Sequence, residues 1–185
     1  MASDYPHYFI GIPIEKQYEH WLGEWQTELK EKDLKYKSWT HPADLHITLK
    51  FLGAVSDKDI KELKDNLAEN FRYQSFQVNI GNIGFFGKQN NPRVIWAGVE
   101  NNDLLNKLQE NVENVCISLG FTKESRPYRP HITLAKKAKT DNRFDQNLLL
   151  SFQERKEMTV SRFCIFRIHP SSSPKYEVVK EIILK

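Results

Sequence analysis

Two short stretches of this sequence carry a histidine and a hydroxyl at the same spacing. His46-Ile47-Thr48-Leu49 is repeated 85 positions later as His131-Ile132-Thr133-Leu134. In a β-strand successive side chains leave opposite faces, so each copy sets His and Thr on one face and the two aliphatic residues on the other. Two such strands brought together would line a cleft with two imidazoles and two hydroxyls. Histidine titrates near pH ~6.5, so one ring can act as a base while the other acts as an acid. Hydroxyl donors can hold the oxygens of a small oxyanion between them. Attack of water on a cyclic phosphodiester needs that division of labour: a base at the nucleophile, and an acid at the leaving alkoxide on the opposite side of phosphorus. The symmetry of the two copies leaves open which ring does which.

The rest of the chain must supply a scaffold that brings the copies face to face. At 185 residues, with 39% hydrophobic residues, eleven Phe and four Trp, it can bury a substantial core as one two-lobed domain over residues 1–185. His7–Ile12 reads as a buried strand. Tyr18, Trp21, Leu22, Trp25 and Leu29 make one face of a helix, and Tyr36–Trp39 a short strand. Thr40–Asp44 is a turn-like entry to the first motif strand, which stops at Gly53. Ser56 caps a second helix through Ile60, Leu63, Leu67 and Phe71. Phe76, Val78 and Ile80 begin a strand, Gly81–Pro92 is a strand end and loop, and Arg93–Val99 is a buried strand.

Leu104 to Leu119 forms a third helix, closed at Gly120. The two prolines of Arg126–Pro130 force an extended approach to the second motif. Met158–Ile168 reads as one long apolar strand, and Tyr176–Leu184 as a last paired one. Strands and helices interleave, but the helices are too few to cover both faces of a large parallel sheet. The expected fold class is therefore α+β: bilobal, with two mainly antiparallel sheets related by an approximate twofold, and flanking helices around a central cleft.

Charge and composition exclude several classes. A net charge of +3 permits an anionic ligand but falls short of a protein wrapped in nucleic acid. The two cysteines, Cys116 and Cys164, sit in separate apolar segments, so buried free thiols are expected and no disulfide framework. No apolar run reaches the ~18 residues of a membrane span, and no basic and apolar leader opens the chain, so the cytoplasm is the expected compartment. No metal-ligand spacing is present: no zinc-protease helix motif occurs, and His41 and His46 are separated by a proline. No metal or other cofactor is expected. His7, His20, His41 and His169 read as surface or turn residues. The glycines of Gly81–Gly87 are followed by no helix start and no Walker lysine, so they make no phosphate loop.

The duplicated His-x-Thr-x pattern resembles the signature of the two-histidine phosphoesterase superfamily. More narrowly, the chain resembles the bacterial RNA 2',3'-cyclic phosphodiesterases, also called 2',5' RNA ligase-like proteins. Supporting context lies in Tyr8–Ile12, Lys50–Gly53, Arg93–Val99 and Arg129-Pro130, so the likeness spans nearly the whole chain. It implies metal-independent opening of RNA 2',3'-cyclic phosphate ends to 2'-phosphates by a monomer. Two alternatives share the cleft: 2',5'-phosphodiester chemistry on oligonucleotides or another cyclic nucleotide phosphate, and a module that binds RNA ends without turnover. By carry-over, His46 would be the proton donor and His131 the proton acceptor. Thr48 and Thr133 would hold phosphate oxygens, and Phe9 would stack on a base.

Lys136 stands where the family often carries Arg, so a bidentate contact would become a point charge. Strict alternation puts Lys136 on the face opposite His131 and Lys137 on the same face. A strand end or a bulge at Ala135 would bring Lys136 round, and Lys136 is the expected phosphate ligand.

Overall fold

The computed structural model describes residues 5–185; the first four residues of the expected domain lie outside it. Among the described residues nine strands form one antiparallel sheet with three α-helices packed on it. In chain order the elements are β1 (His7–Pro13), α1 (Lys16–Glu31), β2 (Tyr36–Trp39), β3 (His46–Ala54), α2 (Asp57–Asn70), β4 (Phe76–Lys88), β5 (Asn91–Val99), α3 (Asp103–Ser118), β6 (His131–Ala138), β7 (Arg155–Val160), β8 (Arg162–Ile168) and β9 (Tyr176–Ile183). The α+β class and the antiparallel pairing follow the expectation.

The helices form where local chemistry closes their ends. Ser56 Oγ accepts from Asp59 N at the start of α2. Asn102 Oδ1 accepts from the backbone N–H groups of Leu104 and Leu105 at the start of α3, satisfying donors the first turn would leave bare. Gly120 follows α3 at φ +88°, a conformation that favours glycine. Each helix buries one apolar stripe: Trp21, Leu22, Trp25 and Leu29 on α1, Ile60, Leu63 and Leu67 on α2, and Leu105, Leu108, Val112 and Cys116 on α3.

Strand order across the sheet is β7-β4-β5-β6-β3-β1-β8-β9, with β2 also paired to β6. The two expected sheets are thus one, pinched in the middle. Among the described residues, β3 and β6 share a single registered pair, Ile47 with Ile132, whereas every other neighbouring pair runs for several residues. One half contains β7, β4, β5, β6 and β2, and the other β3, β1, β8 and β9. The two halves meet at the Ile47–Ile132 pair, and both residues are fully buried.

Three expectations change. The stretch read as a loop after Gly81 is mostly strand, because Phe85 pairs with Ile95 and Phe86 with Val94, and this cross-strand packing overrides the glycines. Gly84 is needed there: the ring of Trp96 lies across it, and a Cβ would sit 2.1 Å from that ring. The apolar run Met158–Ile168 is two strands broken at Ser161. β7 pairs with β4 in one half and β8 with β1 in the other, so this run carries the chain across the molecule. Phe71 is extended beyond the end of α2, although it remains buried.

Candidate active site

The two motifs meet at the pinch. Counting antiparallel from Ile47–Ile132 sets His46 opposite Thr133 and Thr48 opposite His131, so both histidines and both threonines share one face. The histidines are then diagonal neighbours, which in a regular ladder stand about 7–8 Å apart, and somewhat less from Cβ to Cβ. Among the described residues β3 and β6 share no further ladder pair, so the two strands are held together at that one point.

Both imidazoles are oriented the same way. His46 Nδ1 donates to the carbonyl of Asp44 at 2.7 Å, and His131 Nδ1 donates to the carbonyl of Arg129 at 2.7 Å. A carbonyl can only accept, so Nδ1 carries a proton in each ring and Nε2 is left to exchange one. In each case the carbonyl lies two residues before the histidine, in the chain entering the strand. The short 3-10 turn Pro42–Asp44 shapes that entry for His46, and the extended Arg126–Pro130 segment shapes it for His131.

The surroundings of the rings differ. His46 is enclosed by Phe9 at a centroid distance of 4.5 Å, the edge-on ring of Tyr176 at 5.3 Å and Phe166 at 6.2 Å. Its Nε2 lies 3.0 Å from Thr48 Oγ1, which donates to the neutral ring and accepts from the charged one. Burial pushes the His46 pKa down to about 4, against an opposing pull from the Asp44 carbonyl and carboxylate. His131 meets Phe86 edge-on at 4.9 Å and Trp96 at 6.2 Å. Burial lowers its pKa too, and the Arg129 carbonyl opposes the shift. Among the described residues no group bonds its Nε2.

Both motif strands carry one extra residue just after the threonine. Gly11 faces Thr48 while Ile10 faces Lys50, so Leu49 is unmatched; Trp96 faces Thr133 while Ile95 faces Ala135, so Leu134 is unmatched. The bulge expected at Ala135 therefore falls one residue earlier and has the anticipated effect. Leu134 and Ala135 are both buried, so alternation resumed after the bulge sets Lys136 on the histidine face. Its charge presses on His46 in the other half of the molecule. Lys137 adopts a left-handed φ of +61° at the strand's end.

Phe9 is placed differently from expectation. Its ring is 3% exposed, stacked on Phe166 at 4.8 Å and packed on His46, so it walls the imidazole and offers no open face to a base.

Asp44 was legible only as a turn residue. It is buried, and its carboxylate accepts from the backbone N–H groups of Lys175 at 2.8 Å and Tyr176 at 3.1 Å, which locks the start of β9 against the His46 seat. Tyr128 Oη donates to the Thr48 carbonyl at 3.1 Å, tying the approach to the second motif onto the first. Behind the site, Lys50 bonds Glu113 at 2.9 Å in a buried ion pair that fastens β3 to α3. Among the described residues no group of three or more His, Cys, Asp and Glu side chains converges as a metal site requires.

A pinched sheet with one His-x-Thr pair from each half is the arrangement of a two-histidine phosphoesterase, and the chain belongs to the 2'-5' RNA ligase superfamily, whose family model matches residues 14–171. Among similar proteins, the RNA 2',3'-cyclic phosphodiesterase of Bacillus subtilis is 38% identical over 94% of each chain. A Geobacillus stearothermophilus protein of the same name is 31% identical over 94% of this chain, which spans 55% of that relative's length. The crystal structure of E. coli LigT complexed with 3'-AMP superposes with a TM-score of 0.81 at 21% identity, covering 97% of this chain and 98% of that one, and so shares the fold.

Proposed function

We propose that this protein hydrolyses RNA 2',3'-cyclic phosphate ends to 2'-phosphates, without a metal ion or other cofactor, as a monomeric two-lobed unit in the cytoplasm. The observation that carries the reading is the paired anchoring of the two imidazoles: each Nδ1–H is fixed on a carbonyl, which leaves two Nε2 atoms on one face beside two hydroxyls. The shared name of the curated relatives supports the substrate.

In this mechanism His131 Nε2 takes a proton from water as its oxygen attacks phosphorus. The bond from phosphorus to the 3' oxygen breaks, and His46 Nε2–H protonates that oxygen while the bond to the 2' oxygen stays intact. Thr48, Thr133 and Lys136 hold the non-bridging oxygens and the charge that grows on them. Phe9 acts by packing His46. Nε2 of His131, unbonded among the described residues, suits a base; His46 needs the charge of the bound phosphodiester to hold its proton, because an anion beside a buried imidazole offsets the cost of burying its charge.

The test is incubation with 2',3'-cyclic nucleotides and with cyclic-phosphate-ended RNA, with the product's phosphate position read by NMR. A 2'-phosphate is expected. A 3'-phosphate, or no product, overturns the reading.

A further inference from the structure

Among the groups around the cleft, Lys175 has no part in the mechanism above. It precedes β9 in the half that carries His46, and its backbone N–H is bonded to the Asp44 carboxylate, whose own main chain holds the His46 ring. Its root is therefore fixed beside the proton-donor seat. Its side chain is half-buried, and among the described residues no carboxylate or other acceptor pairs with its ammonium.

Lys136 comes from the opposite half and is unpaired in the same way. Burial, then the charge of Lys175, then that of Lys137, each disfavour the Lys136 ammonium. Two lysines rooted in different halves thus lie near enough for the charge of one to disfavour that of the other, and among the described residues neither ammonium is paired with a carboxylate. Like charges held together in a partly dehydrated place raise the free energy of the empty site, and an anion between them reverses the sign.

We propose that Lys175 is a second cation of the phosphate seat, closing on the anion from the His46 half as Lys136 does from the His131 half. The ligand class it adds is a doubly charged phosphate: a 2'-phosphomonoester or inorganic phosphate, as well as the charge that develops in the transition state. This rests on the proposed function only in taking the cleft as a phosphate seat.

Calorimetric titration of inorganic phosphate and of adenosine 2'-monophosphate into the wild-type protein, Lys175→Met and Lys175→Arg tests it. Lys175→Met should weaken both ligands about tenfold or more, as expected for a charge-assisted contact, and Lys175→Arg should largely restore them. The unliganded Lys175→Met protein should melt no lower than wild type, and the Lys136 ammonium, followed by NMR, should titrate at higher pH once its neighbour's charge is gone. A merely structural Lys175 would move neither the Lys136 titration nor phosphate affinity in that pattern. Unchanged phosphate affinity in Lys175→Met overturns the role of Lys175 and leaves the cleft intact. Failure of the wild-type protein to bind either ligand overturns the phosphate seat itself.

Discussion

The halves that carry His46 and His131 share a tetrapeptide, a hydrogen bond to a carbonyl two residues back, and a bulge after the threonine. They differ in what surrounds the ring. His46 is closed in by Phe9, Phe166 and Tyr176, with Nε2 engaged by Thr48. His131 is edged by Phe86 and Trp96, and among the described residues its Nε2 has no hydrogen-bond partner. Just past the bulges, equivalent positions hold Phe51, 58% exposed, in one half and Lys136 in the other. Identical catalytic letters are thus given unequal chemistry by their neighbours: one ring is left ready to accept a proton, and the other is kept neutral until an anion arrives.

The largest effects should come from the rings. His46→Ala and His131→Ala are each expected to cut turnover of a 2',3'-cyclic nucleotide by ~100- to 10,000-fold. Either variant retaining full turnover would remove the two-ring mechanism. Next come the hydroxyls, where the halves should separate. Thr48→Val and Thr133→Val should each cost on the order of 100-fold in kcat through the lost oxygen contact. Only Thr48→Val should also move the pH profile, because Thr48 alone of the two bonds a histidine Nε2. Matching pH profiles for the two variants would show that the Thr48 contact has no bearing on the titration of His46.

Smaller again is Asp44→Asn, which replaces one of two carboxylate oxygens, each accepting a different backbone N–H, by an NH2 group that can only donate. A loss of about 1–3 kcal/mol in stability is expected from denaturant unfolding, since a buried donor is left bare. A fall in kcat should accompany it as the His46 seat loosens. Stability lost with kcat intact would make Asp44 a fold residue only.

Much of this was legible because strand periodicity and motif spacing are local. The alternation of His46, Thr48, His131 and Thr133 set their common face, and helix caps at Ser56 and Gly120 marked their own boundaries. Long-range pairing was hidden. Nothing local separates Val160 from Arg162 into opposite halves, because the break at Ser161 exists only to let β7 and β8 find different partners. The glycines of β4 read as loop because Trp96, the residue that needs the space at Gly84, lies twelve positions on. Phe9 was misjudged for the same reason, since its neighbours Phe166 and Tyr176 come from the far end of the chain. Lys136 could be brought to the right face only by a bulge, and a bulge is a property of the pair of strands.

The unequal burial of the two rings also predicts a pH dependence of stability. With its folded-state pKa near 4 against ~6.5 in the unfolded chain, His46 is neutral in both states at pH 7 and costs nothing there. As pH falls below ~6.5 the unfolded chain takes up a proton that the folded ring refuses, so stability is lost through that window until the folded ring itself protonates near 4. The loss attributable to His46 is at most about 3 kcal/mol, from the difference between those two values. His131, whose pKa burial lowers less, should contribute less over the same range. Urea unfolding at pH 7 and pH 4.5 checks the sign and the order: the drop should shrink more in His46→Ala than in His131→Ala. Added phosphate should shrink it in the wild type as well, by returning charge to the buried ring. An equal drop in all three proteins would mean that His46 is as well solvated as its counterpart, and the asymmetry between the halves would then lie in Lys136 alone.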